Sequence, residues 1–148
     1  MRLLLVDSAS SPVKFVNAVH AKVLQTYANA EVLTRTCATD YDIPFYVSRK
    51  IDEYDAAIAF ITHSGEEVSA AKVNMVLSKL IDIEVSKGKQ IHKVAAKVEE
   101  GLSEEELAAV TQEVVDYCAE LLSGATPSPK PFNQPAEVST GVLDFFTQ

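Results

Sequence analysis

Three short stretches gather side chains able to hydrogen-bond a ligand or move a proton. They are Asp7-Ser8-Ala9-Ser10-Ser11, Thr39-Asp40-Tyr41-Asp42 and Thr62-His63-Ser64-Gly65-Glu66-Glu67. Serine and threonine hydroxyls donate and accept, which suits the edge of a polar ring or a chain of hydroxyls. His63 is the candidate for proton transfer, because imidazole exchanges protons near neutral pH. Each residue also has a plainer reading. Asp7 can tether a loop, Asp40 and Asp42 can form a turn before Ile43-Pro44, and Glu66 and Glu67 can favour a helix N-terminus. His63 can be a solvated loop residue. His20 falls on an expected helix and His92 on an expected strand, and both read as structural or exposed.

The elements that must carry these stretches can be read from periodicity. Leu3 to Val6 is a continuous apolar run, the pattern of a strand buried on both faces. Ser11 before Pro12 reads as an N-cap and a first-turn proline, opening a helix over 12–28 with Val16, Val19, Val23 and Tyr27 on one side. Glu31 to Cys37 reads as a second strand, and Pro44 opens a short helix to about Ile51. Asp55 to Thr62 is the most convincing buried strand. A long helix is expected from Glu66 to Lys87, burying Val68, Ala71, Met75, Leu80 and Ile83 and stopped by Gly88. Lys89 to Ala96 reads as a weaker fourth strand. Ser103 to Glu106 fits a capping box, followed by the stripe Leu107, Val110, Val114, Cys118 and Leu121 and a stop at Gly124.

Strand–helix alternation implies right-handed crossovers and an α/β, three-layer αβα fold with a four-stranded, doubly wound parallel sheet. Ligands of such sheets bind beyond the carboxyl ends of the strands. That rule selects the loops Ser8–Ser11, Ala38–Asp42 and Thr62–Glu67. Residues 1–124 form the expected domain. Residues 125–148 carry Pro127, Pro129, Pro131 and Pro135 and end in Val142, Leu143, Phe145 and Phe146, so they read as an arm that docks on the same or a neighbouring subunit.

Several functions are argued against. The sequence has no G-x-G-x-x-G, no G-x-x-x-x-G-K-[ST] and no G-x-S-x-G, and its third strand ends in Thr62-His63 rather than the aspartate of a phosphorylatable receiver. The three histidines lie far apart, so no metal site is expected. A net charge of −8 disfavours nucleic acid and anionic membranes as partners. Two cysteines, Cys37 and Cys118, read as small core residues rather than a disulfide framework. The apolar run at the start is too short for a secretory signal or a spanning helix, so a cytoplasmic protein is expected.

Taken in order, these motifs resemble archaeal-type riboflavin synthase. The similarity rests on Val6-Asp7-Ser8, on Thr36 followed by Asp42-Ile43-Pro44, on Asp55-Ala56-Ala57-Ile58-Ala59-Phe60 with its glycine loop and long helix to Lys89-Gln90-Ile91, and on the tail from Lys130-Pro131 to Gly141-Val142 and Phe145. It covers nearly the whole chain through short motifs whose order and spacing carry it. The resemblance implies a lumazine synthase-like fold, a homopentamer with sites between subunits, and dismutation of two 6,7-dimethyl-8-ribityllumazine molecules. For that reaction, His63 is the residue expected to transfer the proton. Asp7, Ser8, Ala9, Ser10, Thr39, Asp40, Asp42, Thr62, Ser64, Gly65 and Glu66 are the residues expected around the substrate. No organic cofactor is implied, and a need for Mg2+ is left open. Lumazine synthase, the related alternative, grips a phosphate after its third strand, where this chain offers Glu66 and Glu67 instead of cations. Met75, Val76 and Leu77 stand where the riboflavin synthase family carries a His-Glu pair, which leaves a non-catalytic flavin- or lumazine-binding or assembly homologue as the other alternative.

Overall fold

A computed structural model describes residues 1–64, 66–98 and 102–124. Gly65, the expected arm at 125–148 and the side chain of Val68 lie outside the described residues. The chain alternates strands and helices: β1 (Arg2–Ser8), α1 (Phe15–Thr26), β2 (Glu31–Cys37), α2 (Asp42–Lys50) with a short 3-10 turn (Ile51–Glu53), β3 (Ala56–His63), α3 (Glu67–Lys87), β4 (Gln90–Lys97) and α4 (Glu104–Leu122). The strands form one all-parallel sheet in the order β2-β1-β3-β4. This is the expected three-layer αβα architecture.

The two central strands explain why the sheet forms. Leu3 to Val6 and Ala56 to Ile61 are almost fully enclosed, so their side chains must be covered on both faces. The pleat sends Leu4, Val6, Ala57, Ala59 and Ile61 towards α2 and α3, where they meet Ile43, Val47, Val73, Val76, Leu77 and Leu80. It sends Leu3, Leu5, Ala56, Ile58 and Phe60 towards α1 and α4, where they meet Phe15, Val19, Val23, Val114 and Cys118. On that second side Phe15 and Phe60 stack with ring centroids 5.2 Å apart.

Local signals set several boundaries. Ser103 and Glu106 form the expected capping box at α4. Gly88 ends α3 with φ of 63°, a left-handed conformation in which a residue bearing Cβ is strained. The start of α1 differs from the expectation. The Ser11 hydroxyl bonds back to the N–H and carbonyl of Val13, closing a local turn instead of capping, and the helix begins only at Phe15. The buried side of α3 also differs. Val73, Val76, Leu77 and Leu80 face the sheet, whereas Ala71 is exposed and Met75 is half-exposed. Both stripes have helical spacing, and the side richer in branched aliphatics takes the core. Met75 instead lines a groove between α2 and α3 with Tyr41 and Phe45.

Candidate functional site

The carboxyl ends of β1, β2 and β3 are adjacent because β1 pairs with both neighbours. Ser8 lies opposite Cys37, and the Ala9 N–H continues the ladder to the Cys37 carbonyl at 2.7 Å. All three expected stretches therefore start from one end of the sheet. The pleat then divides their side chains. Ser8 follows Leu4 and Val6, and His63 follows Ala59 and Ile61, so both take the α2/α3 face. Asp40 belongs to that face too, because its carboxylate meets Lys72 of α3 at 2.8 Å. Asp7 and Thr62 have the opposite parity and turn to the α1/α4 face. A set of neighbours in sequence is thus split between two layers.

Hydrogen bonds assign several of these residues to building the loops. Asp7 is fully buried; its Oδ1 accepts from the Thr36 hydroxyl at 2.6 Å and its Oδ2 from the Val16 N–H at 3.4 Å. It ties β1 to β2 and supplies an acceptor at the N-terminus of α1, where no side chain of the flanking loop caps the helix. Asp42 Oδ2 accepts both the N–H and the hydroxyl of Thr39, each at 3.0 Å, which closes the loop before α2. The Asp40 carboxylate is almost fully buried against Lys72. Beyond β3, the Ser64 N–H donates to Ser69 Oγ at 2.9 Å. Glu66 occupies the N-cap position of α3, but its exposed carboxylate makes no capping bond. Glu67 lies in the first turn, where its charge suits the helix dipole.

Groups suited to a ligand are fewer. Ser8 Oγ and Ser10 Oγ lie 2.7 Å apart; Ser8 is fully buried, whereas Ala9 and Ser10 are exposed. His63 is 3% exposed, and its carbonyl accepts from the Val98 N–H at 2.8 Å, which holds the end of β3 against the chain beyond β4. Its burial departs from the reading of a solvated loop histidine. Among the described residues no three His, Cys, Asp or Glu side chains gather to hold a metal ion. Nor is any helix among them long and apolar enough to cross a membrane.

The histidines away from this end are placed differently from one another. His20 is partly buried on α1. His92 stacks on Tyr117 with centroids 4.6 Å apart and sets Nε2 3.3 Å from Glu113 Oε1, bracing β4 against α4.

The sequence reading missed a cleft of ≈ 490 Å³ beside these loops, lined by Arg35, Cys37, Ala38, Asp42, Phe45, Tyr46, Arg49 and Lys50. Of the expected binding residues it takes in Asp42. Burial pushes the Cys37 thiol above its ordinary value, and the neighbouring Arg35 works against that rise. The available signal was the spacing Phe45/Arg49 and Tyr46/Lys50, which repeats an aromatic–cation pair at helical i,i+4 on α2.

No family model matches the chain, and no curated protein does. Among solved structures, it is similar to the apo, selenomethionine-labelled cobalamin-dependent S-adenosylmethionine radical enzyme OxsB at 12% identity and a TM-score of 0.49, over 85% of this chain and 19% of that one. It is also similar to the RPS4 and RRS1 TIR domain heterodimer at 10% identity and a TM-score of 0.46, over 99% of this chain and 97% of that one. The chain thus spans about a fifth of the first of these proteins and nearly all of the second. Neither bears on the chemistry of the site.

Proposed function

We propose that the protein is a cytoplasmic riboflavin synthase-type transferase that dismutates two molecules of 6,7-dimethyl-8-ribityllumazine. One molecule donates a four-carbon unit to the other, leaving riboflavin and a ribitylaminopyrimidinedione. The observation that carries this reading is strand parity: Ser8 and His63 fall on the face of the sheet where Asp40 meets Lys72, at or just beyond the carboxyl ends of three adjacent parallel strands.

The residues divide into roles. The exposed Ser10 hydroxyl can exchange its bond to the buried Ser8 for one to a ring edge or a ribityl hydroxyl. His63 is the group assigned to take the proton from the acidified ring methyl. Asp40 and Asp42 are positioning residues, since Lys72 and Thr39 occupy their carboxylates. Alignment of two identical molecules supplies much of the rate, because orientation alone can contribute several kcal/mol. A homopentamer with sites between subunits accompanies this reading.

Burial of His63 favours one second reading, a binding homologue without turnover. Lumazine synthase is less well supported, because Glu66 and Glu67 are exposed where its phosphate would sit. Incubation of the purified protein with the lumazine, followed by riboflavin fluorescence, separates the readings. Turnover that disappears in a folded His63→Ala variant is the expected result. Tight lumazine binding without riboflavin selects the binding homologue, and absence of both overturns the lumazine assignment.

A further inference from the structure

The cleft between β2 and α2 has a charge unlike that of the chain around it. The protein carries a net charge of −8, yet this wall presents Arg35, Arg49 and Lys50 against one carboxylate, Asp42. That carboxylate is already engaged with the N–H and hydroxyl of Thr39. Lys50 has Glu53 at 3.8 Å. Arg35 and Arg49 form no ion pair with any described carboxylate.

Both guanidiniums are instead held by aromatic faces. The Arg35 Cζ lies 5.1 Å from the centroid of the Tyr46 ring, and the Arg49 Cζ lies 5.5 Å from that of Phe45. A guanidinium lying over a ring keeps its in-plane N–H groups for other partners; Arg35 already spends one on the Cys37 side chain, and the others face no described carboxylate. Those groups match the paired oxygens of a phosphate, to which arginine binds in a bidentate manner. The rings that hold the cations also limit their motion, so less side-chain freedom is lost on binding.

We propose that this cleft binds a phosphorylated, ring-bearing small molecule of nucleotide size, with the phosphate between Arg35 and Arg49. Its volume of ≈ 490 Å³ exceeds the needs of phosphate alone and falls within the ~300–1,000 Å³ of small-molecule sites. Phe45 is 65% exposed, and a planar ring laid against its edge removes apolar surface from water. The strongly acidic remainder of the chain repels an extended polyanion such as nucleic acid, which selects for a compact ligand. The site does not depend on His63 or on the lumazine reading.

Calorimetric titration of the full chain with AMP, inorganic phosphate and adenosine tests the proposal. Saturable AMP binding is expected, with phosphate weaker and adenosine weaker by at least about tenfold, the effect of losing charge-assisted hydrogen bonds. Arg35→Gln and Arg49→Gln should each weaken AMP by about tenfold with circular dichroism unchanged. His63→Ala should leave AMP affinity as it is, so failure here is distinguishable from failure of the enzyme assignment. Lack of saturable AMP binding, equal affinity for adenosine, or indifference to both arginine substitutions overturns the proposal. Oligoglutamate binding more tightly than AMP overturns it in favour of an acidic protein partner.

Discussion

Lys72 Nζ lies 2.8 Å from Asp40 Oδ2, so α3 clamps the loop that leaves β2. The carboxylate is 1% exposed on its side chain and the ammonium 23%, so the pair is shielded on one side and wetted on the other. This contact joins the loop after β2 to the helix after β3. It holds the backbone from Thr39 to Asp42 beside the ends of β1 and β3.

Removing the cation should leave a buried negative charge without compensation. Lys72→Met is expected to lower unfolding free energy by about 2–3 kcal/mol, at or below the low end for a buried pair because the lysine keeps some water. The double variant Asp40→Asn, Lys72→Met should recover much of that loss, since it removes the orphaned charge. Urea unfolding followed by circular dichroism reads both. A Lys72→Met midpoint equal to that of the unmodified protein would show that the pair has no structural weight.

Alkaline conditions should destabilise the protein through the α1/α4 layer. Burial raises the Cys118 thiol from 9.0 to about 11, and burial also raises the Tyr117 hydroxyl well above 10.0. Both groups are neutral when protonated, and their folded values lie above their unfolded ones. The Cys118 contribution is therefore complete below pH 9.0 and is lost as pH rises to about 11, whereas that of Tyr117 starts to be lost only above pH 10.0 and continues beyond that window. Urea midpoints at about pH 8 and about pH 10.5 should show the fall. Cys118→Ala should reduce the slope with pH while lowering the baseline through lost packing. A midpoint that does not change with pH in that range contradicts the burial account.

The N-terminus of α4 depends on one reciprocal pair of side chains. Ser103 Oγ accepts the Glu106 N–H at 3.1 Å, and Glu106 Oε1 accepts the Ser103 N–H at 3.2 Å. Ser103→Ala should cost about 1 kcal/mol, whereas Ser103→Asp should be close to neutral. Amide exchange in the first turn of α4 should quicken in the alanine variant alone. Equal exchange in both variants would place the helix start under the control of packing.

Much of this fold is written locally. The unbroken apolar runs at Leu3–Val6 and Ala56–Ile61 could be stable only as strands covered on both faces. The Ser103–Glu106 spacing and Gly88 mark a helix start and a helix stop through bonds that reach no farther than a turn. Where two local signals compete, the sequence misleads. Ser11-Pro12 has the composition of a helix start, yet the Ser11 hydroxyl finds Val13 first, and Asp7 from the strand before supplies the acceptor near the head of α1.

Composition and periodicity by themselves determined the layered α/β class, the four strands, and which three loops share an end of the sheet. They could do so because apolar spacing and turn chemistry act over a few residues. Only the tertiary structure decided which side chains of those loops share a face, that Lys72 would hold Asp40, and that Arg35 from an edge strand would rest on Tyr46 of the following helix. Those outcomes depend on pleat parity at the strand ends and on strand order, both settled by packing between elements distant in sequence.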